Sequence, residues 1–153
     1  MRKFYFIIII FGIILFAGLW FLNNKSNINQ ESQSLTQAKS ASQLSNLESQ
    51  SNSDGAVTVT VTPVNFSDKE WNFNIVLNTH SEELTTDLTK DAILLDDKNN
   101  EYLPSEWQGD PPGGHHRNGT LKFKSVSPLP ESITLKILGV GGIEERIFTW
   151  PLK

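Results

Sequence analysis

The chain has 153 residues, no cysteine and a net charge of −4. Without cysteine it can form no disulfide, perform no thiolate chemistry and hold no cysteine-ligated metal. Residues 55–153 alone carry 14 acidic against 9 basic side chains, a surplus that phosphate backbones and anionic headgroups repel, so nucleic acid is disfavoured as a partner.

Met1-Arg2-Lys3 precede an unbroken apolar run of 19 residues, Phe4 to Leu22. As a helix this run measures about 28 Å, close to the hydrocarbon thickness of a bilayer. A cleavable secretory signal has a shorter apolar core, about 7–15 residues, and a small-residue cleavage site. Here the only small pair is Ala17-Gly18, with Leu19-Trp20-Phe21 directly after it. A lipid-anchored signal would need a cysteine at that point. The run is therefore expected to be an uncleaved signal anchor over residues 1–22. Arg2 and Lys3 outweigh Lys25, which keeps the N-terminus cytoplasmic and sends the rest across the cell membrane. No charged residue lies within the span, so it offers nothing for an ion pathway or proton relay.

Residues 23–54 are a different material. Twenty of these 32 residues are Ser, Asn or Gln, too few of the rest being apolar to offset the entropy of ordering. The composition predicts a flexible, disordered linker spanning roughly 30 Å root-mean-square.

From residue 55 the period becomes two. Val57, Val59 and Val61 alternate with threonines and mark a first strand, closed by Pro63 and Asn65. Trp71, Phe73, Ile75 and Leu77 mark a second. Ala92 to Leu95 is a short third, followed by the turn-forming Asp96 to Asn100. Glu101 to Trp107 is a fourth, pushed to a sheet edge by Pro104. Gly119 to Lys124 is a fifth, Ile133 to Ile137 a sixth and Ile143 to Trp150 a seventh, with Gly139 to Gly142 as the hairpin turn between the last two. Seven short strands with regular turn signals predict an all-β, immunoglobulin-like sandwich over residues 55–153. Alternation turns Trp71, Phe148 and Trp150 inward as core rather than as a sugar platform. Trp107, at the end of an edge strand, is the exception.

Phe73-Asn74-Ile75-Val76-Leu77-Asn78, Ile93 to Tyr102, and Pro112-Gly113 followed by Gly119-Thr120-Leu121-Lys122-Phe123 resemble exported immunoglobulin-like domains of unknown function from Gram-positive surface proteins and lipoproteins. The resemblance implies fold and exposure. It brings no catalytic residues. Many such domains are lipid-anchored through cysteine, and this chain departs from that pattern, relying on its apolar helix.

The polar chemistry gathers through strand order. If each connection reverses direction, the loops after the second, fourth and sixth strands share one end of the sandwich. That end then holds His80, His115 and His116 with Asp87 and Asp110, and the linker arrives there too. Three imidazoles with Asp110 or Glu82 suit Zn²⁺ or Cu²⁺. Adjacent His115 and His116 can both ligate only if the backbone bends between them. The alternative role for the histidines and Arg117 is to hydrogen-bond loop carbonyls and hold an 11-residue connection in shape. Trp107, Gly113, Gly114 and Arg117 are the expected contact loop for a ligand or partner. Thr79-His80-Ser81-Glu82 has capping-box spacing and predicts one helical turn. His80, Asp87 and a nearby serine could imitate a hydrolase triad, but no Gly-x-Ser-x-Gly elbow exists and no serine has a fixed partner at readable spacing.

The whole sequence thus reads as a non-enzymatic binding module of the cell envelope. It is held by a single-pass helix, with an envelope protein or wall polymer as partner and no cofactor required. An envelope protein binding zinc or copper through its histidines is the alternative.

Overall fold

The structure, a computed structural model, describes residues 47–153. The expected anchor and most of the expected linker lie outside them. The described chain forms nine strands: β1 (Gln50–Asn52), β2 (Val57–Phe66), β3 (Glu70–Thr79), β4 (Ala92–Asp96), β5 (Glu101–Tyr102), β6 (Glu106–Gly109), β7 (His116–Lys124), β8 (Ser132–Val140) and β9 (Ile143–Pro151). They build two sheets in the orders β1-β2-β3-β7-β6 and β5-β4-β8-β9, with every pairing antiparallel. No helix occurs among the described residues. The β-sandwich expected from alternation is present, and its strand count is nine rather than seven.

Both additional strands have physical causes. The expected fourth strand splits at Pro104 into β5 and β6, which lie on opposite sheets, each at an edge. A residue without an N–H cannot continue the ladder there, and the chain uses the break to change sheets. The other addition, β1, falls inside the stretch expected to be linker. Gln50 pairs with Val61 and Asn52 with Val59. Side-chain hydroxyls reinforce the pairing: Ser51 meets Thr60 at 3.0 Å, and Thr62 donates to Ser49 at 2.8 Å and Thr58 to Ser53 at 3.2 Å. The ordered body therefore begins before residue 55.

Pro63 does not end its strand. β1 pairs only as far as Val61, so the outer side of β2 has no ladder to lose beside Pro63. A register shift between Pro63 and Asn65 follows, and this bulge turns Val64 outward, leaving it 54% exposed. β7 starts at His116, three residues earlier than expected, because His116 pairs with Asn78 across β3.

The inward faces supply the core. Val57, Val59, Val61, Ile75, Leu77 and Leu121 meet Ala92, Leu94, Ile133, Leu135 and Ile137 between the sheets. Phe73 sits at the aromatic centre, its ring centroid 5.4 Å from Phe66, 5.7 Å from Phe123 and 5.7 Å from Trp150. Trp71, Phe148 and Trp150 are buried, the core role expected of them. At roughly 1.5–3 kcal/mol for each large apolar side chain removed from water, such a core dispenses with covalent staples.

Candidate functional site

Backbone hydrogen bonds gather the expected loops at one end. Thr79 N–H donates to the His115 carbonyl at 2.9 Å, and Ala56 N–H reaches the Gly141 carbonyl at 3.5 Å. The connection after β3 and the loop between β6 and β7 are stitched in both directions: Leu84 N–H to Gly114 carbonyl at 3.0 Å, Gly113 N–H to Leu84 carbonyl at 2.9 Å. Gly113 and Gly114 have φ of 119° and 70°, values that favour glycine and allow the reversal ahead of β7. Leu84 and Leu88 plug the connection into the core.

Arg117 organises this end from within. Its neighbours on β7, His116 and Asn118, face outward, so alternation points Arg117 inward, where it is only 2% exposed. Nη1 donates to the carbonyls of Leu84 at 3.0 Å and Thr86 at 2.7 Å, and Nη2 reaches the Asp110 carbonyl at 3.5 Å. The Trp107 ring covers the guanidinium, 5.5 Å from its carbon to the ring centroid. Trp107 Nε1 donates to the same Asp110 carbonyl at 2.8 Å. Burial pushes the Arg117 pKa down, and Asp110 and Asp87 push it back up. Arginine remains charged throughout the physiological range.

This corrects two sequence expectations. Arg117 and Trp107 are not free contact groups; they are the internal clamp of the loop. The Asp110 carboxylate accepts from Asn118 N–H at 2.8 Å through Oδ2, a bond that ties it to the start of β7. Among the described residues, no group of three or more His, Asp or Glu side chains is placed to hold a metal ion. The set His80, His115, His116 and Asp110 is therefore not assembled. His80 and His116 do come together, with ring centroids 6.4 Å apart at 82°. His116 Nδ1 lies 2.8 Å from Asn78 Oδ1.

The expected helical turn after Thr79 does not form. The Thr79 hydroxyl donates instead to the Ala56 carbonyl at 2.8 Å and accepts from Ser81 N–H at 3.3 Å. Asp87 serves its own turn, accepting from Thr89 Oγ1 at 2.6 Å and pairing with Lys90 at 2.8 Å. Among the groups that face solvent at this end are Glu82, Glu83 and Asp110, with Pro111, Pro112, Gly114 and the three histidines.

The linker was expected to arrive at this end, and the structure reverses that. β1 runs antiparallel to β2, which places Leu47 and Glu48 toward the opposite end, where Trp150 Nε1 donates to the Glu48 carbonyl at 2.7 Å. The opposite end also holds a cleft of about 320 Å³ between the Asp96–Tyr102 turn and Val126–Glu131. Its principal carboxylate is already committed. Asp96 accepts from Lys98 N–H, Asn100 N–H, Asn100 Nδ2 and Tyr102 hydroxyl, all within 2.8–3.0 Å. The histidine end is thus the better candidate site.

Sequence reasoning missed three side chains with specific partners in this body. Asn78 could have been found, two residues before His80 and on the same face by alternation. Arg146 and Asn52, which tie β1 to the body, carried no comparable signal. No protein-family model, curated protein or solved structure matches the chain.

Proposed function

We propose that this chain is a single-pass, membrane-anchored, non-enzymatic module of the cell envelope. In this reading an immunoglobulin-like body stands outside the cytoplasm and contacts an envelope protein or wall polymer through its histidine end. The immunoglobulin-like assignment is supported by strand order. β2-β3-β7-β6 and β4-β8-β9 follow the four-plus-three arrangement of constant-type domains, with β5 and β1 as additions. The anchor reading rests on Phe4 to Leu22.

The observation that carries the contact reading is the pinned loop. Residues 110–116 are held by the buried Arg117 and by two backbone bonds to Leu84, at the end of the sandwich away from Leu47. A loop fixed before binding loses little entropy on binding, which favours recognition by its exposed Pro111, Pro112 and His115. The full-length chain in its own envelope tests this. It should fractionate with membranes and be labelled from outside. Crosslinking through an exposed position in residues 111–115 should capture a partner that the His115→Ala protein captures less well. Recovery in the cytosol, or capture indifferent to every change in 111–115, would overturn the reading.

A further inference from the structure

Asn78, His80 and His116 share one outward face. Asn78 and His80 are two residues apart with the buried Thr79 between them, so their side chains leave the chain on the same side. His116 is directly opposite Asn78 in the β3–β7 register. The two imidazoles therefore meet diagonally across the ladder, both exposed, 6.4 Å between centroids.

The tautomer of His116 follows from its partner. With the Asn78 amide oxygen as acceptor, Nδ1 at 2.8 Å is the donor, and Nε2 is the nitrogen left to bind a metal. A side-chain carbonyl on the non-ligating nitrogen is the arrangement that orients imidazoles toward metals. Two imidazoles on one tetrahedral ion, with metal–nitrogen distances of about 2.0–2.1 Å, have centroids roughly 5 Å apart. A shift of about 1 Å by exposed rings closes that gap, well within side-chain rotamer freedom.

We propose that His80 and His116 form a two-imidazole site for a borderline divalent ion of the Zn²⁺ or Cu²⁺ class, with Asn78 as the positioning residue. Solvent or an incoming partner completes the coordination. His115 and Asp110 take no part, which distinguishes this site from the four-residue set the structure does not assemble. The proposal is independent of the envelope-contact reading.

Titration of the full-length chain with Zn²⁺ alone, followed by the imidazole carbon-bound proton resonances and by calorimetry, tests it. Saturable binding of one ion per chain should shift His80 and His116 and leave His115 in place. His80→Ala and His116→Ala should each weaken binding by about tenfold or more, and Asn78→Ala by about tenfold while both rings remain. Unchanged backbone amide spectra in the variants keep these losses separate from misfolding. Absence of saturable binding at equimolar zinc, or a loss in His115→Ala equal to that in His116→Ala, would overturn the proposal. Partner capture by the His115→Ala protein reports on the contact reading alone, so the two can fail separately.

Discussion

Arg117 and Arg146 are the two charged side chains fully enclosed in this body, and neither has a buried carboxylate opposite it. Each is solvated by carbonyls instead. Arg146 Nη2 donates to Asp54 at 2.6 Å and to Val140 at 3.2 Å, and Nη1 meets the Asn52 carbonyl at 3.3 Å and the Asn52 side-chain oxygen. A planar fork with five donors reaches carbonyls on separate segments at once, where an ammonium has three donors on a single nitrogen. Arg117→Met should therefore lower stability by about 3 kcal/mol, since the carbonyls of Leu84 and Thr86 lose their buried donors. Arg117→Lys should recover only a minor part. Urea unfolding of the three proteins measures both effects. Sequence left Arg117 either a contact group or a clamp on loop carbonyls; the early start of β7 extends the alternation of Leu121 and Phe123 to it, and the clamp is what forms.

At the same scale, two carboxyls set an acid response. The Asn100 side-chain amide, aided by the Asn100 and Lys98 N–H groups and the Tyr102 hydroxyl, lowers the Asp96 pKa from 3.8 to about 2, against the opposing effect of burial. The Lys90 ammonium, with Thr89, lowers Asp87 to about 2 in the same way. Both folded values lie below the unfolded ones. Their stabilisation is thus complete above the ordinary carboxyl range and disappears as pH falls toward 2. Asp96→Asn should flatten the stability–pH curve in that window and leave its slope near neutrality unchanged. Denaturation midpoints measured across the window decide this.

At the level of elements, alternation was legible wherever one face is apolar. Val57-Thr58-Val59-Thr60-Val61-Thr62 and Trp71 to Leu77 became strands with the expected faces inward. Ser49-Gln50-Ser51-Asn52-Ser53 carries no such signal, because both of its faces are polar; its pairing is a backbone ladder reinforced by hydroxyls. Pro104 was read correctly as an edge signal. That it would divide one strand between two sheets depends on tertiary packing, which no local pattern encodes. The β6–β7 contact is another such case: Gly109 and Gly119 face each other beneath Trp107. A Cβ on Gly119 would lie 2.6 Å from Trp107 Cζ2 and 2.6 Å from the Gly109 Cα. Gly119→Ala should force Trp107 off Arg117 and cost about 1–3 kcal/mol. Tryptophan fluorescence should shift along with the lost stability. A double change with Trp107→Ala should relieve part of the loss, since one of the three colliding groups is then gone while the Gly109 Cα and the Gln108 carbonyl, at 2.8 Å, remain.

For the whole molecule, the decisive element is the short β1 strap. It sets the direction of arrival and closes the side of the sandwich where β2 and β9 would otherwise be open. The Gln50 side chain stands in for a missing strand: its Nε2 donates to the Thr149 carbonyl at 2.6 Å and its Oε1 accepts from Thr149 N–H at 3.2 Å. Trp150 Nε1 and the Arg146 guanidinium find their acceptors in Glu48, Asn52 and Asp54. Compositional reasoning placed the boundary at residue 55, so a fragment cut there keeps every expected strand yet loses the acceptors of two buried donors. A fragment of residues 55–153 should therefore be less stable than one of residues 41–153 by at least about 3 kcal/mol, the cost of leaving such groups unsatisfied. The shorter fragment should also expose the outer edge of β2, a template for pairing with other chains, and aggregate more readily on refolding. Urea midpoints and light scattering of the two fragments test both consequences. Equal stability would mean that the strap rests on a body already complete without it.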